Sequence, residues 1–320
     1  MNRAARLAVS GAVATTAGRT ARGVLDAVAG SSSWWHRTNH DGRTVSLLEG
    51  PSLVAAVTAG AVAGAPDLRS AFSVTCAVAG AGTFGMVDDL FESTEERSRG
   101  LRGHLGALRR GKVTTGAVKI AGIGACALVA AATLPRAGAG ARGRTGAGGG
   151  LARTLLDIGV DAALIAGTAN LVNLFDLRPG RALKASAALV LPLAGSRAAG
   201  TAGAVLGAVV AAAPADLDAH DMAGDGGANA LGAGAGHAVA ASSPLPVRLV
   251  ALAGVVGLTL ASEKVSFSAV IERTPWLRAV DRWGRGVVPA QDRSAEQGPE
   301  QSAVRSASDA AGTAGGGGAV

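Results

Sequence analysis

Nine apolar stretches, separated by short polar or Pro/Gly breaks, organise the chain as far as residue 263. They lie at about 5–29, 51–66, 70–87, 117–134, 151–172, 182–195, 201–214, 228–242 and 247–263. Runs of this length without strict alternation predict helices rather than strands. A helix that crosses a ~30 Å hydrocarbon core needs about 20 residues. The stretches 182–195 and 201–214 fall short, so one is expected to be re-entrant or extended by its flanks. The first stretch contains Arg19, Arg22 and Asp26. Its basic start and the small residues near Ala29 also suit a signal peptide, although the Arg pair interrupts the apolar region. Beyond the ninth stretch, Ile271, Trp276, Leu277, Val280 and Trp283 fall near helical spacing among Arg278, Asp281, Arg282 and Arg285. That pattern predicts an amphipathic helix at a membrane interface, with an ordinary solvated turn and helix as the alternative.

Composition narrows the class. Charged residues are 17% of the 320, against about 25% in soluble domains. Mean hydropathy is +0.33, aromatics are 3% and Tyr is absent. The 48 glycines have no three-residue period, which excludes collagen. A hydrophobic share of 48% excludes plain disorder. The expectation is an all-α polytopic transmembrane bundle of about nine spans, in which Gly and Ala let helices approach closely. Residues 1–290 form the membrane domain and 291–320 a disordered tail rich in Ser, Ala, Gly and Glu. Cys76 and Cys126 sit in apolar runs and imply neither a disulfide framework nor a metal cluster.

The net charge of +7 suggests cytoplasmic loops rather than nucleic acid. The 93–116 loop holds six Lys or Arg and the 264–285 segment five. With nine spans both lie on one side, read as cytoplasmic, with the N-terminus outside and the C-terminus inside. The same parity brings 31–50, 173–181 and 215–227 to that side. The Gly-rich 135–150 connector, with Arg136, Arg142 and Arg144, is the one loop against the rule. This is the topology of a multi-pass cell-membrane protein.

The acids then become informative. Asp88 and Asp89 close the third stretch, Asp176 follows the fifth, and Asp225 precedes the eighth, all at one face. Carboxylates at membrane depth are expensive and tend to be functional. Three acidic sites at one face suit a divalent cation such as magnesium, which uses one or two carboxylates plus substrate phosphates. A lone loop acid in water is the plainer reading of each.

Four motifs in order resemble the polyprenyl-phosphate phospho-sugar transferases, glycosyltransferase family 4. This family includes the phospho-N-acetylmuramoyl-pentapeptide transferase and the UDP-N-acetylglucosamine lipid-carrier transferases. The motifs are Asp88-Asp89, the basic loop RGLRGHLGALRRGKVTTGAVK, Asn170-x-x-Asn173-x-x-Asp176, and Gly224-Asp225-Gly226-Gly227 followed by Asn229. The segment RTNHDGRTVSLLEGP is similar to the family's first substrate-side loop, and the likeness spans about residues 35–285. The chain departs after Asp176, where it reads Leu177-Arg178-Pro179-Gly180 and lacks the second acid the family often has. It also lacks a tenth span and the His-rich late loop.

The resemblance implies transfer of a phospho-N-acetylhexosamine from a UDP-sugar to a polyprenyl (undecaprenyl) phosphate. UMP is released, magnesium is required, and the product serves cell-wall (peptidoglycan) or envelope glycan synthesis. It implies Asp225 as the principal metal ligand and Asp176 as a second ligand or positioning acid. Asp88 would take a proton from the lipid phosphate or act as nucleophile, with Asp89 orienting it. Asn170 and Asn173 share a helix face and could hold nucleotide, or else bond across helices. Lys119 could meet a phosphate or snorkel to the interface. Gly224, Gly226 and Gly227 would let backbone N–H groups meet phosphate, or simply pack. His104, Arg37, Asn39 and His40 are further substrate-binding candidates. The alternative is a catalytically degenerate relative that binds lipid phosphate or envelope partners, a reading prompted by the missing acid. A small-solute transporter would need internal repeats, and no convincing repeat is present. A homo-oligomer is compatible with either reading.

Overall fold

The computed structural model describes residues 1–39, 42–91, 114–135 and 147–285. They form helices α1 (Arg3–Ala29), α2 (Glu49–Ala63), α3 (Leu68–Phe91), α4 (Thr115–Thr133), α5 (Ala147–Phe175) and α6 (Arg181–Val190). Then follow α7 (Ala199–Leu217), α8 (Gly224–Ser242), α9 (Leu245–Ser262), α10 (Phe267–Arg273) and α11 (Pro275–Arg282). Each of the nine apolar stretches contains one helix, α1 to α9. Five helical segments are long and apolar enough to cross a membrane: Leu68–Phe91, Thr115–Thr133, Gly150–Phe175, Ala199–Leu217 and Leu245–Ser262.

One feature departs from an all-helical chain. His36–Thr38 (β1) and Thr44–Ser46 (β2) form an antiparallel hairpin in the first loop, with Arg37 opposite Val45. Asn39 closes its turn, accepting from the Arg43 N–H at 2.9 Å. The hairpin is tied down by Ser46, which forms a parallel bridge with Asp221.

The packing is that of a bundle solvated by lipid. Large apolar side chains lie on the outside, among them Phe72, Leu128, Leu155, Leu156, Val250 and Leu260. α9 is buried only at Arg248 and Val255. The central helix is made mostly of small residues. Of the 19 residues of α8, all from Gly226 to Ala238 are buried, and α2, α3, α5, α6 and α7 surround it. Gly232 and Gly236 set the approach of α8 to α5. A Cβ on Gly232 would stand 2.5 Å from the Thr168 carbonyl oxygen, and one on Gly236 2.7 Å from that of Leu164. Close backbone approach through small residues four apart supplies dispersion contact where lipid removes the hydrophobic drive.

α1 belongs to this bundle. Its Ser10, Ala14 and Gly18 are buried, and Thr15 donates to the Gly207 carbonyl of α7 at 3.0 Å. Of the charges that interrupt its apolar pattern, Arg19 is exposed and Arg22 and Asp26 are paired. Arg22 makes a two-pronged contact with Asp221 at 2.7 and 2.9 Å and meets Asp26 at 3.2 Å.

The short sixth stretch runs through rather than turning back. α6 begins at Arg181, bound to Asp281 at 2.7 Å, and a 3-10 turn over Leu191–Leu193 prolongs it. It leads to Gly195, whose carbonyl accepts from Arg3 at the other end of the bundle. The stretch 201–214 is extended by its flanks, as α7 covers 19 residues.

The amphipathic segment after α9 is two helices, broken where Pro275 opens α11. Trp276, Val280 and Trp283 are exposed. The polar side of α11 is tied to the bundle, with Lys184 donating to the Asp281 carbonyl at 2.7 Å and Arg285 to that of Pro179 at 2.9 Å.

Candidate active site

The first and fourth motifs meet at one end of the bundle. α3 carries Asp88-Asp89 in its last turn, α4 begins one turn before Lys119, and α8 begins at Gly224. Lys119, on the first turns of α4, reaches across to both other helices. Its ammonium is 2.5 Å from Asp88 Oδ2 and also pairs with Asp225 Oδ2. The side chains of Lys119 and Asp88 are mostly buried. Two carboxylates share one cation, and Asp88 Oδ1 is buried with no hydrogen-bond partner.

Asp89 points the other way and closes the start of α8. Its carboxylate accepts from the Asp225 and Gly226 N–H groups at 3.0 and 2.9 Å. It thus acts as a helix cap supplied by another helix, favoured by the positive end of the α8 dipole. The turn that makes this possible needs Gly224, which sits at φ +60°. A Cβ there would also meet Asp89 Oδ2 at 3.0 Å. The backbone N–H groups expected to meet phosphate are therefore occupied by an anion of the chain itself. Gly226 and Gly227 are packing positions, closing on Met86 and Leu53. Asn229 donates to the Asp225 carbonyl at 2.6 Å and fixes the same turn.

Asp176 approaches this turn from α5 and is buried, with Oδ2 unpartnered. Burial pushes its carboxyl well above the usual range. Asp216, Asp225 and Asp89 add to the effect, and the Gly224 N–H opposes it. Asp176 therefore senses the Asp88–Lys119–Asp225 group without touching the lysine. It lines a small hollow of about 30 Å³ with Asn39, Asp216 and Asp221.

The remaining candidates divide. Arg37 reaches the site, donating to the Asp89 carbonyl at 2.5 Å. Asn39 is a turn residue beside Asp176. Asn170 is exposed and Asn173 half-buried, and neither joins the acidic group. His40, His104 and the rest of the basic loop from 92 to 113 lie outside the described residues.

Three residues at this end escaped the sequence reading. Glu49, at the start of α2, is 2% exposed and neither of its oxygens has a donor. Asp216, near the end of α7, accepts from the Gly180 N–H at 2.5 Å. Asp221 holds Arg22. The signal was present for two of them: Glu49 stands just before the start of an apolar stretch and Asp216 just beyond the end of one, whereas Asp221 lies mid-way along a loop.

Among the described residues, no three His, Cys, Asp or Glu side chains converge closely enough to hold a metal alone. A pair is available. Asp88 and Asp225 each reach the same ammonium through Oδ2, a pair of oxygens that a cation could share in its place. Two hard oxygen donors fit magnesium when phosphate and water supply the other ligands. Comparison with protein-family models, with curated proteins and with solved structures finds no match.

Proposed function

We propose that the protein is a membrane transferase that moves a phospho-N-acetylhexosamine from a UDP-sugar to a polyprenyl phosphate and releases UMP. The observation that carries this reading is the shared ammonium. Lys119 gathers Asp88 from 31 residues away and Asp225 from 106 residues away. These are the acids of the first and fourth motifs that resemble glycosyltransferase family 4.

All nine helices α1–α9 are read as spans, with the N-terminus outside and the site at the cytoplasmic face. Magnesium would be held by Asp225 and Asp88, with Asp176 behind the turn rather than among the ligands. When bound it would neutralise the diphosphate and the leaving UMP. The chain's own groups then have defined tasks. Lys119 balances the two carboxylates before substrate arrives. Asp88 Oδ1, without a partner, is placed to take a proton from the lipid phosphate. Asp89, Gly224 and Asn229 hold the turn that presents Asp225. Arg37 braces the end of α3.

Purified protein with magnesium, undecaprenyl phosphate and a panel of UDP-sugars, including the UDP-muramoyl pentapeptide, is expected to release UMP. Asp225→Asn is expected to abolish release while the helical circular dichroism is retained. Folded wild-type protein that releases no UMP from any UDP-sugar would remove the catalytic reading.

A second reading has its own support. Asp89 already fills the start of α8, and Leu177-Arg178-Pro179-Gly180 follows Asp176 without another acid. A non-catalytic relative would bind UDP-sugar or lipid phosphate, rise in melting temperature with ligand, and turn nothing over.

A further inference from the structure

The opposite end of the bundle holds a polar cavity with a different charge. His237 follows Asp225 by twelve residues in α8, about 18 Å along the axis at 1.5 Å per residue. Two adjoining hollows, of about 240 and about 390 Å³, share Pro135, Arg197 and Ala241 in their walls. Arg6 and His237 line the first, and Arg153 and Arg248 the second.

The arginines are not equivalent. Arg248 is committed to Asp157 and Asp161 at 2.6 and 2.5 Å. Arg6, Arg153 and Arg197 have no side-chain polar partner among the described residues. The other acid in the walls, Asp67, is engaged in capping α3, accepting from the Ser70 N–H at 2.8 Å. The walls therefore offer guanidinium groups with unused donors, suited to phosphate.

His237 adds a requirement of its own. It is 3% exposed. Its Nε2 is 3.0 Å from Ser73 Oγ, and the Ser73 hydroxyl donates to the Ala130 carbonyl at 2.8 Å. Since that hydroxyl proton is used, Nε2 carries the ring proton and donates to Ser73. Nδ1 is left as a lone-pair acceptor, buried and without a partner. A buried acceptor with no donor carries a desolvation penalty that a ligand hydroxyl would remove.

We propose that this cavity binds a phosphate ester bearing a free hydroxyl. Arg6 and Arg197 take the phosphate, and His237, which lines the hollow, accepts from the hydroxyl through Nδ1 once the ligand displaces the wall that covers that nitrogen. A glycerol phosphate group has this chemistry, either as the headgroup of an anionic lipid or as a free solute. The site is separate from the acidic end and stands whether or not the protein is a transferase.

The test is binding to the purified full-length chain in neutral detergent by isothermal titration calorimetry. The probes are dioctanoyl phosphatidylglycerol, phosphatidylethanol and phosphatidylcholine, and sn-glycerol 3-phosphate. Phosphatidylglycerol is expected to bind at least tenfold more tightly than phosphatidylcholine. It is also expected to bind severalfold more tightly than phosphatidylethanol, which has the same charge and no hydroxyl. Arg6→Gln with Arg197→Gln, at positions outside the core, should cost at least tenfold, and Asp225→Asn should cost nothing. Binding of glycerol 3-phosphate as strong as that of the lipid identifies the solute as the source, and weaker binding identifies the lipid. Equal affinity of the double variant and the wild type would overturn the site. Equal binding of phosphatidylethanol and phosphatidylglycerol would overturn the role of His237.

Discussion

Lys119 decides the chemistry of the acidic end. A lysine near a helix start reads in sequence as a snorkelling side chain, and the plain expectation is that its charge goes to water. Here it turns inward, because two carboxylates on α3 and α8 converge on it. Lys119→Ala leaves both acids without their cation. Removing one partner of a buried ion pair costs about 3–5 kcal/mol, so a loss of that order is expected in SDS-titration unfolding. On the magnesium reading, added magnesium should recover part of that loss in Lys119→Ala and none in Lys119→Ala with Asp225→Asn. The resemblance assigns Asp89 to orienting Asp88, whereas in the structure it caps the start of α8. Successive positions on a helix point about 100° apart, so one faces Lys119 and the other the start of α8.

At the scale of elements, the same residue type does opposite work depending on what faces it. Gly232 lies against the α5 backbone, whereas a Cβ at Gly159, on α5 itself, would meet nothing within 4 Å. Gly232→Ala is expected to destabilise by about 1–3 kcal/mol through overpacking. Gly159→Ala is expected to stabilise by about 0.5–1 kcal/mol through the backbone entropy of the unfolded chain. Paired SDS unfolding midpoints check the signs. Periodicity cannot predict this difference, because both glycines sit within apolar stretches of similar composition.

The docking of α11 gives a second prediction. Burial opposes the charge of Asp281, yet hydrogen bonds from Arg181 and the positive fields of Arg285, Arg181 and Lys184 hold it below the usual carboxylate range. A lowered folded-state value means that this contribution is fully present above roughly pH 5. It is lost as the pH falls through about 4 and below. In a W34F/W35F background, the fluorescence of Trp276 and Trp283 is expected to shift as α11 detaches over that acid range. Asp281→Asn should show the detached spectrum already at neutral pH.

For the whole molecule, the distribution of residue sizes matters more than their number. Small residues dominate the central helix, a few Leu and Ile such as Leu53, Leu164 and Ile165 pack beside it, and many large apolar side chains face outward, the arrangement of a bundle whose solvent is lipid. α1 to α9 run alternately between the acidic end and the arginine-rich end. Arg6, the α2–α3 turn, Pro135, Arg153 and Arg197 line the cavities at the second end, while Arg22, Asp88, Lys119, Asp176, Asp216 and Asp225 gather at the first. The topology reading therefore makes a sided prediction. In a C76A/C126A background, Ser243→Cys is expected to react with a membrane-impermeant maleimide in intact cells. Trp283→Cys should react only in inverted vesicles. Labelling of both from one side would refute the arrangement.

The hydrophobic pattern by itself determined where the nine helices lie and that several of them are long and apolar enough to cross a membrane, because burial in lipid or protein demands long apolar runs with internally satisfied backbones. It also marked Asp88, Asp89, Asp176 and Asp225, since charge at the end of an apolar run is conspicuous against so little charge elsewhere. It could not say which acids share a cation and which acid caps a helix. Nor could it show that Arg22 within α1 is answered by Asp221, from a distance of 199 residues. Those pairings depend on helix rotation and on which helices become neighbours. In this chain the tertiary structure sets both, through the close approach of small residues that carry no direction in the sequence.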